Sequence, residues 1–467
     1  MKKAYVVALV LLAGLFLYLD VAVQRADRKA DRSDVAAGST YRVMILGFDG
    51  TDPEFLHSLM SQGKLPNFER LHREGAYGPC RTFKPTKSNV IWTSIATGKR
   101  MEKHGIIDWM VLSDDGQERL LTTGNQRRTE ALWNIATAGG KSVQLINWWA
   151  TWPAEHVNGE MVSNHFTKTR KTRIDEATYP ATLNDELEPL IAFGDARVHE
   201  EMRAAGIPVY SGELAESAFR PSENFRRRFQ ASVELFAEDM LVEKVASHLV
   251  ETRGQRDLFG VIFRNADIFT HFLWRFIDVR LAKQVYDHLN EDKLPLTSEI
   301  EQAMNEAYAA VLQAVYIHED RRLGRLMAMA GPDTVVIVVS DHGFQFRNYG
   351  FYHYALGPPG ARAPGSVETL APPGVIFLWG PPIRGGTKLA HATVFDVSPT
   401  ALYLLGLPVG EDMDGKVLVE ALAPELLAER PVEWIPTHDS GMRGGKPRRS
   451  PVDKDILKEL QTLGYVS

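Results

Sequence analysis

Cysteine is almost missing from these 467 residues: Cys80 is the single one, so neither an intrachain disulfide nor a thiolate-bound metal is available. An excess of basic charge is missing too. Lys and Arg number 53 against 59 Asp and Glu, a net charge of -6 that gives no sign of a nucleic-acid-binding surface. No internal repeat or low-complexity tract is present. What remains is ordinary: 44% apolar and 24% charged residues, enough for one large domain with insertions or for two domains.

The start of the chain carries a location signal. Met1-Lys2-Lys3 precedes an apolar run, Ala4–Leu19, that is shorter than the roughly 20 residues of a spanning helix and sits at the upper end of a signal-peptide core. No small-x-small cleavage site follows. The expectation is a signal-anchor over residues 1–23, with the rest of the chain on the extracytoplasmic (periplasmic) side of the inner membrane. Secretion after cleavage of a signal peptide is the alternative, and Arg25, Arg28, Lys29 and Arg32 speak against the anchored orientation. Residues 24–40 read as a tether.

Tyr41–Phe48 (YRVMILGF) is an apolar run suited to a buried parallel strand, and it ends in Asp49-Gly50. Ligands of open α/β sheets bind at the carboxyl ends of strands, which puts Asp49 where a catalytic carboxylate belongs; capping of the next helix is its other reading. Further strands are expected at Tyr77–Phe83, Ser142–Trp149, Met161–Ser163, Leu258–Arg264, Thr334–Ser340 and Gly374–Trp379. Helices are expected at Pro53–Met60, Pro66–Arg73, Ser298–Ala330, Asp396–Leu405 and Pro451–Leu463. Residues 168–254 are charged and amphipathic from Phe225 to Val250, and read as a helical cap inserted between strands. The stretch Arg347–Pro373, rich in Gly, Pro and aromatics, reads as a long functional loop. The fold class is α/β around a mostly parallel sheet.

Three places carry chemistry. In KPTKSNVIWTSIATGKRMEKHGI (Lys84–Ile106), Ser88 precedes an apolar run closed by Thr97-Gly98, as a hydroxyl cap and a glycine stop bound a helix. A serine so placed aims its oxygen at unpaired N–H groups and the positive end of the helix dipole, which stabilise an alkoxide or a phosphate. Asp267 and His271 stand four apart on one face of a helical turn, close enough to hold one cation or simply to pair. Asp341-His342-Gly343 leaves the very apolar strand TVVIVVS, where core packing does not account for two adjacent ligand types.

The order and local spacing of Asp49, Ser88, Asp267/His271 and Asp341/His342 resemble the alkaline phosphatase superfamily, within it the type I phosphodiesterase/nucleotide pyrophosphatases. The resemblance covers most of residues 41–420, including DVSPTALYLLGLP (Asp396–Pro408), and extends to the closing LGYVS. It implies a three-layer α/β/α sandwich with a catalytic domain over 41–420 and a C-terminal tail and helix over 421–467. It also implies two divalent metal ions, zinc with manganese as the alternative. By the same resemblance Asp267 and His271 match the ligands of one ion, Asp49, Asp341 and His342 those of the other, and Ser88 the nucleophile, itself in contact with a metal. The activity implied is phosphoester hydrolysis, diester or monoester, through a phosphoseryl intermediate.

Two departures from the pattern stand out. The third ligand to the Asp267/His271 ion is a His before the strand that begins at Gly374; GSVETLAPPG has none, leaving Glu368 nearest the place and His353 as the alternative. The Asn that binds a phosphoryl oxygen some twenty residues after the nucleophile is also lacking, and Asp108-Trp109 stand there instead. Lys87, Lys84 and Arg264 are candidates for phosphoryl oxygens, His104 for supporting a turn, and Trp92, Trp148 and Trp149 for core. A sulfatase is disfavoured because SNVIW has neither the Pro nor the Arg of a C/S-x-P-x-R motif. The alternatives are a phosphotransferase that moves a head group to a lipid or glycan, and a degenerate metal-binding scaffold.

Overall fold

A computed structural model describes residues 40–113, 115–170, 174–207, 223–273, 298–344, 371–441, 443–463 and 465–466. The membrane segment and most of the tether expected at the N-terminus, and the candidate ligands His353 and Glu368, lie outside the described residues. Among the described residues no helix is long and apolar enough to cross a membrane.

The strands in chain order are β1 (Arg42–Phe48), β2 (Ala76–Cys80), β3 (Met110–Leu112), β4 (Arg119–Leu121), β5 (Val143–Ile146) and β6 (Gly159–Val162). They continue with β7 (Thr178–Tyr179), β8 (Leu258–Phe263), β9 (Thr334–Val339), β10 (Gly374–Trp379) and β11 (Thr387–Lys388). All but the β3–β4 hairpin join one sheet in the order β11-β2-β10-β9-β1-β8-β5-β6-β7. β1 lies at its centre, parallel to both neighbours, with Val43 opposite Leu258 on one side and Val335 on the other. Only β7 and β10 run against the rest. The sheet is thus large and mostly parallel, and its central strands are continuously apolar because both faces are covered.

The two faces separate by the strand period of two. Met44, Leu46 and Phe48 of β1 join Phe259, Phe263 and Val338 in one core, while Val43 and Ile45 join Ile262 and Ile337 in the other. On the first face lie α1 (Pro53–Ser61), α2 (Pro66–Glu74), α6 (Leu183–Ala205), α7 (Glu223–Arg253), α8 (Asn265–Leu273) and α9 (Ser298–Ala328). On the second lie α3 (Ser88–Thr97), α5 (Leu132–Ala138) and α10 (Val397–Leu404), with the single turn α4 (Met101–His104) beside α3. The chain continues through α11 (Pro424–Glu429) to a final helix, α12 (Asp453–Leu463).

Within the stretch read as a cap, α7 packs on the sheet: Phe236, Leu241, Val245 and Leu249 are buried in the same core as Phe259 and Phe263. Its apolar stripe is covered by strands, and α6 packs against it. On the other face, all ten residues of α3 are buried, and Ser398 of α10 donates to the Ala96 carbonyl at 2.8 Å. The polar side chains of α3 are buried because they are hydrogen-bonded: Thr93 and Thr97 donate to the Asn89 and Thr93 carbonyls one turn back at 2.7 and 2.8 Å, and Asn89 donates to the Asp108 carbonyl at 2.8 Å. Gly98 ends it at φ 67°, the left-handed conformation expected of the glycine stop.

Candidate active site

Four strand exits meet above β1. Asp49 follows β1, Asp341 and His342 follow β9, Asp267 and His271 ride on α8 just after β8, and Ser88 opens α3 after β2. Sequence alone left Asp49 between catalysis and capping. Capping falls to Asp52 instead, whose Oδ1 accepts from the Phe55 amide at 2.9 Å and Oδ2 from the Phe344 amide at 3.1 Å. The Thr51 amide donates to Ser340 Oγ at 2.8 Å, and that hydroxyl donates to the His342 carbonyl at 2.8 Å. These bonds tie the two loops together, and Asp49 is left facing the centre.

Its carboxylate is divided between two duties. Oδ2 accepts from the indole N–H groups of Trp92 at 3.0 Å and Trp149 at 2.9 Å. Oδ1 accepts from the Ser88 hydroxyl at 3.3 Å and lies 3.8 Å from His342 Nε2. That same imidazole nitrogen is 3.8 Å from Asp267 Oδ1 and 3.6 Å from Asp341 Oδ2. His342 Nδ1 lies 3.2 Å from the Gly343 carbonyl, which can only accept, so Nδ1 donates there and Nε2 is the nitrogen that faces the carboxylates. His271 Nε2 is 3.2 Å from Asp267 Oδ1. The opposite oxygen of Asp267 accepts a hydrogen bond from the Tyr465 hydroxyl.

Two glycines make this closeness possible. A Cβ on Gly47 would fall 2.5 Å from the Trp92 ring, and one on Gly50, at φ 65°, would fall 2.6 Å from the Asp267 Cβ. The bare Gly50 amide also donates to Asp341 Oδ1 at 3.2 Å.

Three buried carboxylates with one imidazole among them are electrostatically unbalanced. Burial, then Asp341 and Asp267, push the Asp49 carboxyl well above its usual range. Burial and the charge of Asp267 push Asp341 up to about 7. Burial works in the same direction on Asp267, but His271, His342 and the Tyr465 hydroxyl outweigh it and hold this carboxyl below its ordinary value. Asp267 Oδ1 and Asp341 Oδ2 are buried with no hydrogen-bond partner among the described residues. Ligand atoms of Asp49, Asp267 and His342 all lie within 4.8 Å of one another. Orphaned acceptors at a point where carboxylates outnumber the cationic groups among the described residues could hold a divalent cation, with oxygen and imidazole nitrogen as its donors.

The model of the type I phosphodiesterase / nucleotide pyrophosphatase family matches residues 43–354, well over half of the chain and all six of these residues. The chain belongs to that family. It is thereby a member of the alkaline phosphatase superfamily, whose members are metal-dependent enzymes acting on phosphoric esters. Curated relatives are 2,3-bisphosphoglycerate-independent phosphoglycerate mutases from strains of Cereibacter sphaeroides. One is 31% identical over 39% of this chain and 28% of its own length, another 30% identical over 29% and 23%. The matched region thus spans only about a quarter of the length of these relatives.

Several residues differ from their expected places. Ser88 is not the helix cap: Lys87, extended at φ -111° and ψ 121°, takes that position, and Ser88 is the first helical residue. Its hydroxyl is free of capping and turned to Asp49. Lys87 and Asp108 bind each other, Nζ to Oδ1 at 2.5 Å, so the two candidates for substrate contact form one ion pair beside Ser88. Arg264 is committed elsewhere, to Glu238 at 2.6 Å and Glu459 at 3.2 Å. His104 supports the turn, its Nε2 2.9 Å from Ser94 Oγ and its Nδ1 accepting from the Ile106 amide at 3.2 Å. Trp148 is core, donating to the Trp92 carbonyl at 3.1 Å. The indoles of Trp92 and Trp149, and Tyr465, went unrecognised as site residues, since nothing in an apolar helix or a terminal LGYVS marks a hydrogen bond to a distant Asp.

Proposed function

We propose that the protein is a metal-dependent phosphoester hydrolase in which Ser88 is the nucleophile and Asp49, Asp267, His271, Asp341 and His342 hold two divalent ions, zinc or manganese. The observation that carries this reading is the convergence of three carboxylates, two imidazoles and one serine hydroxyl at one buried point. When bound, the ions supply positive charge that neutralises the carboxylates and stabilises the oxygens of an in-line displacement. The chain's own groups do the rest. Asp49 Oδ1 orients the Ser88 hydroxyl, while the two indoles hold the other oxygen of Asp49 still. Ser88 Oγ gives up its proton to solvent and attacks phosphorus, the ester oxygen leaves with its electron pair and takes a proton from solvent, and a water later attacks the phosphoserine phosphorus, breaking the Oγ–P bond and returning a proton to Ser88. The N-terminus of α3 and the Lys87 ammonium receive non-bridging oxygens, with Asp108 setting the position of Lys87. Glu368 or His353 completes the ligand set in this reading.

The test is turnover by the full-length chain, loaded with zinc or manganese, of an aryl phosphomonoester and the matching diester. Ser88→Ala is expected to remove the activity, and a variant as active as wild type sinks the mechanism. The mutase name of the matched relatives favours a second reading, transfer of the phosphoryl group to an acceptor other than water; a labelled acceptor in place of free phosphate distinguishes it. We further propose that the catalytic domain over residues 41–420 is a three-layer sandwich, with α7 part of the layer on the first face, and that the apolar Ala4–Leu19 run holds the enzyme at the outer face of the inner membrane. Cell fractionation tests the latter.

A further inference from the structure

The last described residues of the chain return to the site. α12 is moored through Glu459, which binds Lys168 and lies 3.2 Å from Arg264. Arg264 in turn binds Glu238 of α7 at 2.6 Å, and Lys168 binds the same Glu238 at 2.6 Å. The two glutamates and two cations are at most 13% exposed, so the mooring is an internal one. Upstream, Arg443 reaches Glu155 at 2.7 Å, and the Gly445 amide donates to the Asn125 carbonyl at 2.7 Å. Leu460 is buried against Trp109 and Leu121, and its carbonyl accepts from the Tyr465 amide at 2.8 Å. The Tyr465 ring then stands between Trp109, 5.6 Å away, and His271, 5.0 Å away.

Ring packing alone asks nothing of the hydroxyl, and Phe would serve. Here the hydroxyl donates to Oδ2 of Asp267, while Oδ1 of the same carboxylate has no hydrogen-bond donor among the described residues and faces His342 and His271 at 3.8 and 3.2 Å. A carboxylate rotates about its last bond unless one oxygen is fixed, and fixing Oδ2 decides where Oδ1 points. The mooring residue Arg264 lies just ahead of Asp267 in the chain, so the tail and the carboxylate it orients share one anchor.

We infer that Tyr465 is a positioning residue of the metal centre, holding Asp267 so that Oδ1 faces the ion, and that α12 together with Tyr465 and Val466 is an integral wall of the site. This rests on the metal-dependent reading above. It assigns the closing Tyr a task that sequence spacing gives no reason to expect.

The experiment is calorimetric titration of the chelator-treated full-length chain with zinc and with manganese, together with the visible spectrum of the cobalt-substituted protein. Groups that orient a ligand typically contribute 10–100-fold in metal affinity. Tyr465→Phe, which keeps the ring, is expected to weaken binding by about that factor and to alter the cobalt band. Glu459→Gln, which loosens the mooring but keeps the phenol, is expected to weaken binding several-fold and stands in if Y465F does not fold. Wild-type affinity and an unchanged cobalt spectrum in Y465F overturn the inference while leaving the metal reading in place. A wild type that binds neither ion removes the metal reading itself, and this inference with it.

Discussion

Replacing Asp341 by Asn takes one charge out of a buried cluster and leaves its shape, so it separates the cost of crowding carboxylates from their use. In the metal-free protein the Asp341 carboxyl is pushed from an ordinary 3.8 up to about 7 by burial and by Asp267. A raised carboxyl means the folded state binds the proton more tightly than the unfolded chain does. Stability is then highest at low pH and falls as pH rises from about 4 to about 7, by roughly 1.4 kcal/mol per unit. Over the whole window the loss is on the order of 4 kcal/mol, fully present at pH 8. The D341N side chain keeps an oxygen for the Gly50 amide and escapes this penalty. Urea unfolding of chelator-treated full-length protein is therefore expected to show D341N close to wild type near pH 4 and more stable, by up to about 4 kcal/mol, at pH 8. Adding zinc or manganese narrows the gap: at a hundred times Kd the ion stabilises wild type by about 2.7 kcal/mol, which leaves D341N ahead by only about 1 kcal/mol, since the variant, short of one ligand, responds little. A metal-free D341N no more stable than wild type at pH 8, or an equal response of both proteins to the ion, refutes the reasoning.

Other expectations follow from the same geometry. Gly47→Ala drives a methyl group into the Trp92 ring and Ile262, and is expected to cost about 1–3 kcal/mol in thermal unfolding and to lower turnover by displacing the indole from Asp49. Arg264→Met leaves Glu238 and Glu459 to share Lys168 alone; the expected loss is about 2–3 kcal/mol of stability, below that of a buried charge left with no partner, with KM for a phosphoester unchanged, whereas a phosphate-binding role gives the opposite pattern. Lys87→Ala breaks a half-buried pair and is expected to cost under about 1 kcal/mol while raising KM, and an unchanged KM removes Lys87 from substrate binding.

The elements of the sheet were legible because buried parallel strands leave little freedom in composition: YRVMILGF, LFGVIFR, TVVIVVS and GVIFLW each became a strand within a residue or so. The helices Pro53–Ser61 and Pro66–Glu74 were likewise marked by an opening Pro. That the candidate side chains would come together was legible for a related reason. A polar residue directly after so apolar a strand has no packing role, and the sheet's parallel sense brings those exits to one edge, so Asp49, Asp267, Asp341 and His342 meet there. Ser88 was placed correctly at the start of its helix but assigned a capping duty that Lys87's extended backbone performs.

Long-range pairings were another matter. Arg264 looks the same in sequence whether it awaits phosphate or lies between two glutamates, and Lys87 and Asp108 gave no hint that they bind each other. Amphipathic periodicity in α7 marked an apolar stripe without saying that the sheet would cover it. By itself, then, the sequence determined the alternation of strands and helices, the edge where these polar side chains gather and the family to which they point, because those depend on local composition and on strand ends. Only the tertiary structure decided which oxygen of Asp49 the indoles hold, which cations the glutamates neutralise, and that Tyr465 returns to Asp267. Such contacts join segments far apart in the chain, and their energy comes from distances and desolvation that no local pattern encodes.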